Sequence, residues 1–162
     1  MIEFPINVVT VSNSGEEVHC VTCMSIERVF AEGLPPKAII GILRRPLGSS
    51  EKIEPSNFTR NRVVVDFMHD VISRRCPEIA DLKSAARRQG EGWVYLLDAR
   101  TKTPKGAVPP EDIIGAFAVK AGEIVSGSYA PNPRHLLFSS NGIFQLPPEF
   151  RKMLLDELHA PK

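Results

Sequence analysis

The chain has 162 residues, 43% of them apolar and 24% charged, and a formal net charge of +1. That balance excludes a mainly disordered or fibrous chain, and its near-neutrality offers no global field for nucleic acid or an acidic membrane. No apolar run reaches bilayer length, MIEFPINVVTVSNSGEEVH lacks a secretory leader pattern, and three Cys, an odd number, suggest no disulfide framework. The chain is therefore expected to be a single cytoplasmic domain over 1–162 with reduced thiols.

FPINVVTVS is rich in β-branched residues and runs into the turn residues Asn13 to Gly15, so a strand is predicted near 6–11, with a hairpin partner over 17–23. MSIERVFAEG reads as a short helix with Ile26, Val29 and Phe30 on one face and Gly33 as its stop. A buried strand, Ala38 to Leu43, follows between prolines. In RVVVDFMHDVISRRCP, the spacing of Val64, Phe67, Met68, Val71 and Ile72 predicts a helix ended by Pro77. A second helix begins there, with Ile79, Leu82 and Ala86 inward and Gly90 closing it. GWVYLLDA is apolar on both alternations, which predicts a strand buried on both faces with Trp93 in the core. EDIIGAFAVKAGEIV reads as two strands joined at Ala121-Gly122, and PPEFRKMLLDELH as a closing helix with Phe150, Met153, Leu154 and Leu158 inward. Short strand connections predict an α+β fold, a mostly antiparallel sheet covered by helices.

One pattern occurs twice. LPPKAIIGIL (34–43) and VPPEDIIGAF (108–117) share Pro-Pro and Ile-Ile-Gly at equivalent places. IEPSNFTRN (53–61) then lies against IVSGSYAPN (124–132), matching Phe58 with Tyr129 and Asn61 with Asn132. The expectation is two similar halves, 34–75 and 108–158, about a pseudo-dyad. The competing reading is two unrelated buried strands that both enter through Pro-Pro. In either case a mid-strand Gly marks a bulge or a close backbone approach.

Candidate chemistry is sparse. Cys20 and Cys23 form a C-x-x-C beside His19, but no second such pair completes a zinc set. They are weak metal candidates, and two buried reduced thiols are the simpler reading. His69 is read as a solvent-facing helical residue. Asp98 and Arg100 at a strand end, Glu111 and Asp112 at a strand start, and His135 in a loop would supply a base, a cation and carboxylates for acid–base catalysis if they converged. The plainer account is that they close a strand end and cap a turn. Phosphate loops, GxSxG and HExxH are absent, so no cofactor is expected. The doublets Arg44-Arg45, Arg74-Arg75 and Arg87-Arg88, with Arg100, Lys102 and Lys105, would form a basic face only if they shared one surface.

These observations point to a non-enzymatic binding protein with a protein partner, a regulator or an immunity-type inhibitor, rather than to nucleic-acid or membrane binding. The alternative is an enzyme or small-molecule binder using acid–base residues in the loops around 98–112 and 126–135. A deep pocket joining Asp98, Arg100, Glu111 and His135 would favour the alternative; a flat, partly apolar surface would favour binding.

Overall fold

Ser14 and Gly15 both take the left-handed backbone region (φ 53° and 85°) that a two-residue hairpin requires, and the chain reverses there. The computed structural model describes residues 6–48, 53–100, 108–139 and 142–159. In chain order the elements are β1 (Asn7–Asn13), β2 (Glu16–Thr22), α1 (Ile26–Glu32), β3 (Ile39–Leu43), β4 (Phe58–Arg60), α2 (Arg62–Arg75), α3 (Ala80–Gln89), β5 (Gly92–Leu97), β6 (Ile113–Lys120), β7 (Glu123–Ile124), β8 (Ala130–Pro131), β9 (Phe138–Ser139), β10 (Gly142–Ile143) and α4 (Pro148–Leu158). The strands form three antiparallel sheets: β1-β2-β3-β4, β9-β10, and β5-β6-β7 with β8 also on β6. The fold is α+β, as the short strand connections predicted. Contacts gather the chain into two compact units, 1–67 with 137–143 and 68–136 with 144–162.

In the first unit β1 pairs with β2 over its whole length, Asn7 opposite Thr22 through Asn13 opposite Glu16. Cys20, Val21, Ala38, Ile40 and Leu43 are buried there, and the Phe58 and Phe138 rings meet at 5.5 Å. The side chain of Ser25 caps α1 by accepting from Arg28 N, and Gly33 ends the helix. The shared face read from Ile26 and Phe30 exists but is not covered: Phe30 is 83% exposed.

In the second unit α3 packs on β5 through Leu82 and Ala86, and α4 buries Phe150, Leu154 and Leu158. Ala121 and Gly122, both at positive φ, make the β6–β7 turn. Two expectations fail. His69 is not solvent-facing: it is half-buried and its Nδ1 lies 2.7 Å from the Tyr129 hydroxyl. GWVYLL is not buried on both faces: among the described residues β5 is an edge strand, with Trp93 and Tyr95 on the outward alternation 44% and 60% exposed. Across the ladder they oppose Ala118 and Ala116, side chains too small to cover them. Val94 and Leu96, on the other alternation, are buried.

The doubled stretches share local geometry. Pro35-Pro36 and Pro109-Pro110 each lead into a one-turn 3-10 helix, Pro36–Ala38 and Pro110–Asp112. Val21 pairs with Gly41 and Thr22 with Ile39, so Ile40 is a bulge residue. Leu96 pairs with Gly115 and Leu97 with Ile113, which makes Ile114 the same. Both bulge residues are buried. Each glycine then faces an aromatic ring, Gly41 that of Phe58 and Gly115 that of Tyr129, where a Cβ would collide.

Candidate functional site

β5 ends at Leu97, and the next residues turn inward. Asp98 N donates to Asp112 O at 2.7 Å, and Ala99 N to Gln145 O at 2.7 Å. These two bonds aim the Asp98 and Arg100 side chains at the 3-10 turn that precedes β6 and at the loop holding His135. Arg100 Nε donates to Asp112 Oδ1 at 2.8 Å and lies 3.6 Å from Asp98 Oδ2. Its Nη2 donates to the carbonyls of Glu111 (2.8 Å) and Leu136 (2.7 Å). His135 Nε2 is 2.9 Å from Asp98 Oδ2, while Asp98 Oδ1 accepts from the backbone N–H groups of Arg100 and Gln145.

The structure thus brings together four of the five residues singled out as acid–base candidates, Asp98, Arg100, Asp112 and His135. Glu111 joins only through its carbonyl. The plainer account, a strand end and a turn cap, describes the backbone role of these residues but not their mutual bonding. The set is also an interior one: Asp98 and Asp112 are each 1% exposed, His135 5% and Arg100 8%. Guanidinium and carboxylates satisfy one another, which keeps a buried charge tolerable. General acid–base catalysis needs a group aimed at a reacting atom; Nε2 of His135 is taken up by Asp98, so only its Nδ1 is left to meet any other group.

The position of Asp112 in the doubled pattern is filled by Ala38 in the first stretch, and both are buried. The chemical difference between the stretches at this point is therefore an internal one. It replaces a methyl group with a carboxylate that Arg100 neutralises.

Cys20 sits in β2 and Cys23 just beyond its end; both are buried and free, as is Cys76. Burial pushes the Cys23 thiol up to about 11 and that of Cys76 up to about 12, against the low values that reactive thiolates need. Among the described residues no group of three or more His, Cys, Asp or Glu side chains is arranged to hold a metal ion.

Of the basic doublets, Arg74-Arg75 is answered by acids. Arg74 lies 3.0 Å from Asp70 and 3.4 Å from Glu157, and Arg75 lies 3.5 Å from Glu157. Arg74, Lys83 and Arg87 do line one cavity of about 650 Å³ in the second unit, but Glu78 and Glu123 line it too, and Lys83 is paired with Glu78. Lys102 and Lys105 lie outside the described residues.

A surface that sequence reading missed lies along β5. A groove of about 290 Å³ runs beside Tyr95, Leu96 and Leu97, walled by α3 (Leu82, Ala85) and the start of α4. Its lining is mostly apolar, with Asp81 and Glu149 as the only charged residues among the described ones. The available signal was an apolar run on both alternations, which reads equally as two covered faces or as one covered face and one docking face.

Comparison of the chain with protein families, with curated proteins and with solved structures finds no match. No helix among the described residues is long and apolar enough to cross a membrane.

Proposed function

We propose that the chain is a cytoplasmic, non-enzymatic binding protein whose partner is another protein, as a regulator or an immunity-type inhibitor would be. One observation carries this reading: Trp93 and Tyr95 stand 44% and 60% exposed on an edge strand, beside an apolar groove, while the acid–base side chains lie beneath the surface bonded to one another. Aromatic side chains with a polar tip are the common anchors of protein interfaces. The enzyme reading draws on the 2.9 Å contact of His135 with Asp98, but it needs a substrate beside groups that are at most 8% exposed.

We also read the doubled stretches as two copies of one unit: strand, Pro-Pro turn, bulged strand and short return strand. The support is the shared bulge, the shared glycine–ring contact and the common bonding of Asn61 and Asn132. On this view features common to both copies serve the fold, and partner recognition lies where the copies differ.

The test is affinity purification of the tagged chain from native extract, with mass spectrometry of protein and small-molecule fractions. Trp93→Lys and His135→Gln variants are run in parallel. A protein partner lost with Trp93→Lys and kept with His135→Gln supports the reading. A stoichiometric small molecule lost with His135→Gln overturns it in favour of the enzyme.

A further inference from the structure

We infer that the outer edge of β5 is a strand-addition site: it takes an extended segment of a partner protein, paired antiparallel to Gly92–Leu97, in the place that β1 takes on β2. The inference rests on the binding reading above and names the partner's chemistry.

β2 and β5 hold equivalent positions in their sheets. Each lies against a bulged strand with the same slip, Val21/Thr22 against Gly41/Ile39 and Leu96/Leu97 against Gly115/Ile113. On its other edge β2 carries β1 through seven consecutive residue pairs. The other edge of β5 carries nothing from Gly92 to Leu97 among the described residues. The first bond on that side comes at Ala99, whose N–H donates to Gln145. The first unit thus shows what covers this edge: a β-strand.

Chains ordinarily guard an open edge with a lysine, a proline or an inward charge, because unpaired N–H and C=O groups recruit other strands. Gly92–Leu97, GWVYLL, has none of these. An added strand would alternate its side chains, one set beside Trp93 and Tyr95 and the other toward the groove lined by Leu82, Ala85 and Phe150. Backbone pairing supplies affinity and the groove supplies selectivity, as in other strand-addition sites.

Charge selects the partner further. Among the described residues neither Asp81 nor Glu149 has an ion-pair partner, and no cationic side chain lines the groove. A segment of alternating apolar residues flanked by Lys or Arg fits this rim. A second copy presenting its own β5 does not, since GWVYLL has no basic residue to offer.

The experiment uses the full chain and a synthetic peptide, two lysines followed by the β1 sequence Asn-Val-Val-Thr-Val-Ser-Asn. Trp93 is the only tryptophan, so its fluorescence reports on the site. Saturable binding with a Kd on the order of 10–100 μM is expected, with new hydrogen-exchange protection of the alternate Gly92–Leu97 amides that do not already donate to β6. N-methylation of alternate peptide amides, in one of the two possible phases, should weaken binding about tenfold or more. Asp81→Lys with Glu149→Lys should weaken it several-fold. No fluorescence change and no amide protection up to about 1 mM peptide overturns the inference. So does binding indifferent to N-methylation in both phases, or a dimer of the chain alone that Tyr95→Lys dissociates, which would put a second copy on the edge. Any of these leaves the broader binding reading standing; only a His135-dependent small molecule removes that.

Discussion

Asn61 and Asn132 make the same four hydrogen bonds. Asn61 Nδ2 donates to the carbonyls of Pro36 (2.9 Å) and Ile39 (2.8 Å), its N–H to Ile40 O (3.0 Å), and its Oδ1 accepts from Val63 N (3.2 Å). Asn132 Nδ2 donates to Pro110 (2.8 Å) and Ile113 (2.7 Å), its N–H to Ile114 O (3.0 Å), and its Oδ1 accepts from Arg134 N (3.1 Å). Each side chain closes the Pro-Pro turn against the return strand, using groups that only an amide carries at this length. Asn61→Ala and Asn132→Ala should each cost about 2–3 kcal/mol, since three side-chain bonds vanish and carbonyls lose their donor. Asn→Asp at either site should be no better, because the donor is what the carbonyls need. Urea midpoints of the four variants check this; a loss at one site only would count against the proposed duplication.

Gly41 and Gly115 predict a difference between the copies. A Cβ at Gly115 meets only Tyr129 ring and hydroxyl atoms among its nearest neighbours, whereas one at Gly41 also meets the backbone oxygen of Thr59 at 2.6 Å. Both Gly→Ala changes should destabilise by about 1–3 kcal/mol through overpacking. Tyr129→Leu should offset much of the Gly115→Ala loss, since the obstacle is a side chain. Phe58→Leu should offset little of the Gly41→Ala loss. Double-mutant cycles measured by urea denaturation give the two coupling energies directly.

The buried charge set is expected to behave as scaffold. Arg100→Met leaves Asp112 without its guanidinium and should cost about 3–5 kcal/mol. Adding Asp112→Leu removes the stranded carboxylate and should recover part of that loss. His135→Gln can still donate to Asp98 and should cost less than His135→Leu. Thermal unfolding of the four variants tests the ordering; equal losses for Gln and Leu at 135 would show that the Asp98 contact is not what holds this loop.

Trp93 should emit and quench as a half-exposed indole, readily accessible to acrylamide, and Trp93→Lys should shift stability by no more than about 0.5 kcal/mol, as at other surface sites. A strongly blue-shifted emission in the free chain, shielded from quencher, would mean that the outward face of β5 is covered.

The buried thiols set an alkaline limit. In the folded chain Cys23 and Cys76 hold their protons to about 11 and about 12, against 9.0 when exposed. Above that exposed value the unfolded chain ionises while the folded chain does not, so protons are released on unfolding. Stability is full below the unfolded value and falls as pH rises toward the folded one, by up to about 1.4 kcal/mol per pH unit for each thiol. Cys76→Val should flatten the decline between pH 9 and 11. Urea titrations at several alkaline pH values would show whether it does.

Local order was legible in the chain. Asn-Ser-Gly and Ala-Gly marked the two tight turns, Gly90 closed α3, and Pro-Pro with Ile-Ile-Gly located the bulged strands, because backbone freedom and side-chain periodicity act over a few residues; Pro77, read as the start of α3, instead sits in a 3-10 turn, Cys76–Glu78, and α3 begins at Ala80. That Asp98, Arg100, Asp112 and His135 could meet was also legible, since all stand at the ends of buried strands or in the loops beside them. Their depth was not: burial depends on what the rest of the unit places above a group, and the Gln145 and Leu136 backbones that complete the set come from distant segments. The outward face of β5 was misread for the same reason. An apolar run states that a surface avoids water; only the tertiary structure decides whether the chain itself covers that surface, as β1 covers the edge of β2, or leaves it bare.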